Sequence, residues 1–495
     1  MITTFDARFS LDRSRFAVSL PLLLGLLVYT KAILSGGAVI HDADPYWHIA
    51  TGRWIIANHT VPTHDVFSFS MPGAPWKSPE WLAELFMAWL YDQFGWGGLV
   101  VATAASVAVS VGVLLRVLLR SLVPVYAMIA AVLAWGTALN FAVARPHIFA
   151  LPLLVVWVAA LVEARNEDRA PSPWVAALMT LWVNIHASYV VGLGLAALLA
   201  AEAVLLAPDR PSRLRSARAW GIFGALSIAA ALINPYGLDG LLLPFKLDQM
   251  SFSFATLAEW QSPNFQMFQP LELWLFVLLF AGLSLGWKLP PVRLGIVLLL
   301  LHMALQHARH AQLVGFIAPL MLAPALGPQL KARFGQRTGS AIDHGMAELA
   351  KPATAYGIAM AGAALLAVSA VRLSSSTVDP GVSTPEKALA AAAAHHIEGP
   401  VLNDYEFGGY LTFRGVKPFI DGRYFYGDAF IRRFIEATEL SSDGLPRLLA
   451  DYRIKWTLLS ARRPAVVLLD HLPGWRRLYA DDIAVVHVRE EQTRH

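Results

Sequence analysis

The sequence of 495 residues contains no cysteine, and only 15% of its residues are charged. The absence of cysteine excludes disulfides, thiolate metal sites and cysteine nucleophiles. Soluble proteins carry about 25% charged residues, so this low charge excludes a soluble enzyme. The sequence also lacks low-complexity polar tracts, which excludes a disordered chain. Its mean hydropathy of +0.51 instead indicates a chain built largely of membrane helices.

Apolar blocks of roughly 15–20 residues, the length that crosses a bilayer core, recur along the chain. They predict about eleven spans, near residues 16–36, 97–115, 122–141, 146–162, 173–185, 188–207, 219–234, 271–287, 292–307, 311–328 and 353–373. Basic residues collect in alternate loops, beginning with Arg8, Arg13 and Arg15 and ending with Arg337 and Lys351. The positive-inside rule then predicts a cytoplasmic N-terminus, so the small net charge of +4 reflects topology rather than a nucleic-acid partner.

Three segments are predicted to face the outside: a first loop at 37–96, a second loop at 235–270, and the end of the chain. We expect a mainly α, polytopic membrane domain over residues 1–373 and a soluble α/β domain over residues 374–495. In the second domain, helices are predicted at 385–396, 428–439 and 443–452. Strands are predicted in VLNDYEFGGYLTF, KPFIDGRYFYG, IKWTLLS and DIAVVHVR.

The first outer loop opens with HDADPYWH, in which Asp42 and Asp44 lie one residue apart at the predicted membrane edge. One carboxylate can act as a general base on a hydroxyl, while the other holds a divalent metal such as Mg²⁺ or Mn²⁺, or a hydrogen-bond network. Apolar neighbours at this edge are expected to raise a carboxyl pKa. The same pattern also has a purely structural explanation, because Asp44 followed by Pro45 is a typical helix N-cap.

The same loop predicts two helices that lie flat on the outer surface. The first runs to about Asn58, with Trp47, Ala50, Trp54 and Ala57 on one face. The second starts at Ser78-Pro79-Glu80-Trp81 and carries Glu80 and Glu84 on one side. We expect Glu80, Glu84 and His48 to shape an acceptor site. The histidines of the loop match no zinc-ligand spacing, which favours interfacial histidines over a metal site.

Two arginines are predicted at the outer ends of spans, Arg145 in NFAVARPH and Arg309 in HMALQHARHAQ. A guanidinium at this depth can bind a phosphate through two hydrogen bonds, with His310 nearby, or it can extend to lipid headgroups. In the second outer loop, Glu259 and Trp260 can contact a sugar, because aromatic faces stack on sugars. Tryptophans at this depth are also common membrane anchors.

Several segments together resemble a group of bacterial polytopic proteins related to the GT-C class of membrane glycosyltransferases, of the dolichyl-phosphate-mannose and aminoarabinose transferase type. The segments are HDADPYWHIATGRWI, WVNIHASYVVGLG, INPYG, EWQSPNF, and VLNDYEFGGYLTF with KPFIDGRYFYG. The resemblance covers nearly the whole chain. No W-W-D-Y-G motif of the oligosaccharyltransferase kind is present in the sequence, so protein N-glycosylation is not expected.

The resemblance implies a bacterial plasma-membrane enzyme that transfers a sugar from a polyprenyl phosphate on the outer face, with inversion at the anomeric carbon. It assigns the base to an acid of the first loop, here Asp42 or Asp44. Two other functions stay open from the residues: a transporter or flippase of a lipid-linked precursor, and a non-catalytic assembly protein whose outer domain binds a partner. The sugar, the acceptor and the oligomeric state are not indicated.

Overall fold

The computed structural model describes residues 17–247, 252, 257–334, 341–374 and 384–490. The α-helices described before residue 384 are Leu20–Leu34, Gly36–Ile40, Asp44–Asn58, Trp81–Leu118, Pro124–Ala138, Pro146–Asn166, Pro173–Ala176, Leu178–Val183, Tyr189–Leu205, Arg210–Ala231, Leu238–Leu247, Pro270–Leu285, Pro291–Gln306, Ala311–Phe334, Ala341–Leu349 and Ala355–Ser374. The basic residues Arg8, Arg13, Arg15 and Arg337, and residues 375–383 of the predicted domain boundary, lie outside the described residues.

Every predicted span overlaps at least one described helix. Five of the described helices are long and apolar enough to cross a membrane, namely Trp81–Leu118, Pro124–Phe141, Pro146–Asn166, Ala308–Phe334 and Ala355–Ser374, where two ranges include a short flanking 3-10 turn. Other apolar helices are shorter than 18 residues, so the count of eleven crossings stays a prediction. Several helices begin with a proline, which needs no hydrogen-bond partner at that position.

Gly95 divides the helix Trp81–Leu118 into an outer arm and a spanning part. Its φ of 58° and ψ of −153° are not helical, and glycine reaches this region without a steric penalty. The break agrees with the predicted second outer helix followed by a span. The outer arm packs closely against the helix Asp44–Asn58.

We define the tail as residues 384–490. It holds the helices Glu386–Ala394, Tyr405–Phe413, Asp428–Thr438, Gly444–Asp451 and Pro464–His471, and the strands β1 Val401–Asn403, β2 Trp456–Ser460, β3 Trp475–Ala480 and β4 Ala484–Arg489. The sheet order is β1-β2-β4-β3, with β1 parallel to β2 and the other pairs antiparallel. Apolar clusters pack against the sheet, so the tail has a core of its own.

Three expectations about local structure are wrong. The segments VLNDYEFGGYLTF and KPFIDGRYFYG are not long strands: only Val401–Asn403 pairs, and Tyr405–Phe413 is helical. Asp44 is not the N-cap but the first helical residue, and its N–H is accepted by Asp42 Oδ1 at 2.8 Å. The helix Asp44–Asn58 does not expose the whole predicted interfacial face, because it packs between the outer arm and the tail, and Trp47 and Ala50 on that face are buried.

Candidate functional site

A cavity of about 1090 Å³ lies where the first outer loop, the helix ends and the tail meet. Nine of the ten site residues predicted from sequence line it, namely Asp42, Asp44, His48, Glu80, Arg145, Glu259, Trp260, Arg309 and His310. Glu84 does not line the cavity. It lies behind His48 and is fully buried. The segments that supply these residues are separated in sequence, so the fold gathers them at one end of the helix bundle.

Arg145 lies at the centre of three carboxylates. Its Nη2 is 2.6 Å from Asp42 Oδ2, and its Nη1 is 3.2 Å from both Asp44 Oδ2 and Glu259 Oε2. Burial alone would lower the pKa of the Arg145 guanidinium, but the carboxylates outweigh burial and raise it. Arg145 therefore stays charged and neutralises the acids around it.

The same arrangement does not fit a divalent metal. The Arg145 guanidinium lies where a cation shared by Asp42 and Asp44 would have to bind. Among residues 17–247, 252, 257–334, 341–374 and 384–490, no group of three or more histidine, aspartate or glutamate side chains is arranged to hold a metal ion. We therefore derive no step through Mg²⁺ or Mn²⁺.

Asp44 combines burial with two defined partners. Its Oδ1 accepts a hydrogen bond from the Trp47 indole N–H at 3.0 Å, while its Oδ2 faces Arg145. Burial raises the pKa of Asp44 from 3.8 to about 6, and the Arg145 charge and the Trp47 hydrogen bond only partly offset this rise. Asp44 is therefore largely ionised near pH 7 yet basic enough to accept a proton.

Arg309 and Trp260 form the opposite wall. Arg309 Nη1 donates to Glu259 Oε1 at 3.0 Å, and its guanidinium carbon lies 4.6 Å from the centre of a Trp260 ring. Burial would raise the pKa of Glu259, but Arg309 and Arg145 together hold it below its usual value. Glu259 therefore stays ionised between the two arginines. The ring of His310 lies 6.0 Å from Trp260, edge to face.

Glu80 lies between two histidines. Its Oε1 is 3.5 Å from His186 Nε2, and its Oε2 is 3.9 Å from His48 Nε2. Burial raises the pKa of Glu80 from 4.5 to about 8, and it lowers the pKa of both histidines well below 6.5. These contacts are therefore between neutral groups at pH 7 rather than ion pairs, and Glu80 carries a proton.

Glu84 supports His48 from behind. His48 Nδ1 lies 3.3 Å from Glu84 Oε1, and Ser78 Oγ donates to Glu84 Oε2 at 2.5 Å. Glu84 thus fixes the His48 ring rather than facing a ligand. The Trp47 ring also contacts the His48 ring, with centroids 3.6 Å apart and the planes tilted by 32°.

The tail forms a wall of the cavity that the sequence did not predict. Tyr405, Gly422, Arg423, Tyr424 and Arg463 all line it. The runs NDYEFGGY and FIDGRYFYG concentrate glycine with aromatic residues, and this is the only signal of the wall in the sequence, but the same composition also predicts strands and turns. His147, at the start of the helix Pro146–Asn166, and His186, between two predicted spans, also line the cavity, and the sequence does not assign them to it.

No protein-family profile matches the sequence, and no curated protein matches it. Among solved structures, an oligosaccharyltransferase of Archaeoglobus fulgidus in its apo form matches with a TM-score of 0.51 and 12% identity, over 89% of this chain and 69% of that one. ArnT of Cupriavidus metallidurans bound to undecaprenyl phosphate aligns with a TM-score of 0.43 and 14% identity, over 93% and 97% of the chains. At 12% identity the oligosaccharyltransferase match shows a shared fold, and this fold agrees with the one that the resemblance to GT-C proteins predicts.

Proposed function

We propose that this protein is a bacterial plasma-membrane glycosyltransferase. It transfers a sugar from a polyprenyl-phosphate donor to a hydroxyl of an extracytoplasmic acceptor. One observation carries the proposal: a single cavity holds a carboxylate whose pKa is raised to about 6 and, within the same network of contacts, two arginines. These are the two kinds of group that a base-assisted displacement of a phosphate requires.

Asp44 is the better base of the two acids. Both acids have a partner at each oxygen, but Asp42 is held more tightly, since its Oδ1 accepts the Asp44 N–H and its Oδ2 lies only 2.6 Å from Arg145. Asp44 has the longer contact to Arg145, at 3.2 Å, and Trp47 orients its carboxylate. A residue at the start of a rigid helix keeps a fixed position, which suits a catalytic carboxylate.

In the proposed step, the Asp44 carboxylate takes the proton of the acceptor hydroxyl while that oxygen attacks the anomeric carbon. The bond from the anomeric carbon to the phosphate oxygen breaks, and its electron pair stays on the phosphate. Arg309 and Arg145 stabilise that charge. Attack opposite the leaving phosphate inverts the anomeric centre.

The acceptor side is formed by neutral and aromatic groups. Protonated Glu80 can donate a hydrogen bond to a sugar oxygen, and neutral His48 can accept or donate one. The Trp260 face stacks on Arg309 and offers an apolar surface for a sugar ring. Glu259 lies between the two arginines, where a donor phosphate must compete with it.

The proposal is tested by mass spectrometry of lipids that copurify with the protein, and by binding of undecaprenyl phosphate to the protein in nanodiscs. We expect the wild type to retain a polyprenyl phosphate or its glycosylated form, and R309A to bind it about tenfold more weakly or not at all. R53A is the matched control, because Arg53 is an exposed arginine paired with Asp92 and lies outside the cavity lining. Only bulk phospholipid in every sample, with no binding of undecaprenyl phosphate, would refute the donor assignment.

A further inference from the structure

Gly422 of the tail lies directly against the proposed base. A Cβ atom at this position would be 2.5 Å from Asp44 Oδ1 and 3.0 Å from Trp47 Nε1. The backbone of Gly422 is not in the left-handed region, so its conformation does not require glycine. What excludes a side chain is the carboxylate of Asp44, 378 residues away in the sequence.

A second tail glycine approaches the same helix start. A Cβ atom at Gly409 would lie 2.7 Å from the Ala43 carbonyl oxygen and 3.4 Å from Trp47 Cδ1. Gly409 belongs to the helix Tyr405–Phe413, which packs on the helix Asp44–Asn58. Two separate tail segments thus place a glycine, which has no side chain, against the residues that hold the Asp44 carboxylate.

Arg423, the next residue, anchors this part of the tail. Its Nη1 lies 2.6 Å from Asp65 Oδ1 in the first outer loop, and its Nη2 lies 2.7 Å from Asp421 Oδ2. The three side chains are fully shielded from solvent. The guanidinium carbon also lies 4.6 Å from the centre of a Trp76 ring. A charge buried among such partners cannot leave without a large desolvation penalty, so residues 421–423 are held in place.

We propose that Gly422 and Arg423 are positioning residues for Asp44, and that the tail is a permanent wall of the catalytic centre. Arg423 holds the tail segment on the outer loop, and Gly422 closes the space beside Asp44 without displacing it. The carboxylate then stays between the Trp47 N–H and the Arg145 guanidinium. The inference rests on the proposed function for its catalytic meaning, whereas the contact itself is independent of any substrate.

The contact is tested without substrate in the full-length protein. Dicyclohexylcarbodiimide reacts with protonated carboxyl groups, so labelling of Asp44, measured by peptide mass spectrometry between pH 4.5 and 9, reports its titration. In G422A the added methyl group pushes the carboxylate away from Trp47 or Arg145, and both contacts lower the pKa. We therefore expect half-labelling at a pH higher than in the wild type by about 0.5 unit or more.

G444A is the matched control. Gly444 is also in the tail and outside the cavity lining, and a Cβ atom there would lie 2.9 Å from the Ser442 hydroxyl oxygen, at the end of a side chain, and at an ordinary 3.7 Å from Ala437 Cβ. We expect its labelling curve to coincide with that of the wild type. An unchanged or downward shift in folded G422A would overturn the proposal.

A double-variant comparison covers the case in which G422A fails to fold. In a D44A background the carboxylate is absent, so adding a methyl group at 422 should lower the melting temperature much less than it does in the wild type. An equal fall in melting temperature in both backgrounds would overturn the inference that Gly422 is in contact with the Asp44 carboxylate. If the contact is upheld but D44N retains full transferase activity, the proposed function fails while the structural inference stands.

Discussion

Arg309 donates a hydrogen bond to Glu259 over 3.0 Å, and the second oxygen of the same carboxylate lies 3.2 Å from Arg145. Glu259 therefore occupies the position between two guanidinium groups that a phosphate would take. The exposed fractions of the Arg309 and Glu259 side chains are 23% and 28%, so a ligand can reach the pair. In the proposed mechanism, Glu259 competes with the donor phosphate rather than binding it.

Replacing Glu259 with glutamine should strengthen anion binding. E259Q keeps the size of the side chain and removes its negative charge, so a phosphate no longer competes with a carboxylate. We expect undecaprenyl phosphate to bind about three- to tenfold more tightly to E259Q than to the wild type. Binding to nanodiscs at fixed ionic strength measures the change. Weaker binding by E259Q would instead mean that Glu259 holds the arginines in their binding geometry.

Substitution of Asp44 should separate the two acids of the first loop. D44N keeps the hydrogen-bond acceptor for Trp47 but cannot take a proton, so we expect transferase activity to fall by about 10²–10⁴-fold with the melting temperature preserved. D42N retains an oxygen that can accept the Asp44 N–H, and its activity should fall by less than about tenfold. Sugar transfer in membranes and a melting curve measure the two effects. Full activity in D44N, D42N and the double variant would contradict a carboxylate of this loop as the general base.

Activity should depend on pH through Asp44 and Glu80. Asp44 acts as a base only when ionised, so activity falls as the pH falls through about 6. Glu80 is protonated below about 8, and its ionisation at higher pH removes a hydrogen-bond donor from the acceptor side and adds a negative charge near Asp44. We therefore expect a bell-shaped profile for the wild type. In E80Q the alkaline limb should disappear and the acid limb remain, and an unaltered alkaline limb would exclude Glu80 as its source.

Part of the candidate site is predictable from the sequence because each of its residues lies in a short segment whose polarity can be recognised without the fold. The pair Asp42 and Asp44, the acid Glu80 and the arginines Arg145 and Arg309 all lie in short polar segments between apolar blocks, and such segments meet at the same end of a helix bundle. Their polarity at a membrane edge was visible without a structure. Glu84 is expected at the acceptor site but does not line the cavity. Packing decides which side of a helix faces a cavity, and the sequence does not show it.

The tail wall was not predictable from local patterns. Gly422 and Asp44 are far apart in the sequence, and a glycine required by long-range contact looks the same as one in a turn. The sequence of the helix Tyr405–Phe413 predicts a strand, since its aromatic residues favour strands and its two central glycines disfavour helices. Tertiary packing on the helix Asp44–Asn58 reverses that preference, because only glycine allows such close approach.

The ion pairs of buried Arg423 with Asp65 and Asp421 should supply much of the free energy that holds the tail against the first outer loop. R423A leaves Asp65 and Asp421 buried without their cation, and we expect a loss of about 3–5 kcal/mol in unfolding free energy. R120A removes an exposed pair with Glu163, away from the tail, and should cost less than about 1 kcal/mol. Thermal melting of both variants in the same detergent measures the difference. Equal melting temperatures would show that the tail is held mainly by its apolar contacts.

The predicted orientation can be tested by cysteine labelling, because the native chain has no cysteine to remove. Ser442 is exposed in the tail and Glu167 is exposed after the helix Pro146–Asn166, in a loop predicted to be cytoplasmic. In intact spheroplasts we expect a membrane-impermeant maleimide to label S442C but not E167C, whereas both should react after lysis. The reverse pattern would place the cavity on the cytoplasmic side, where the proposed acceptor could not reach Asp44.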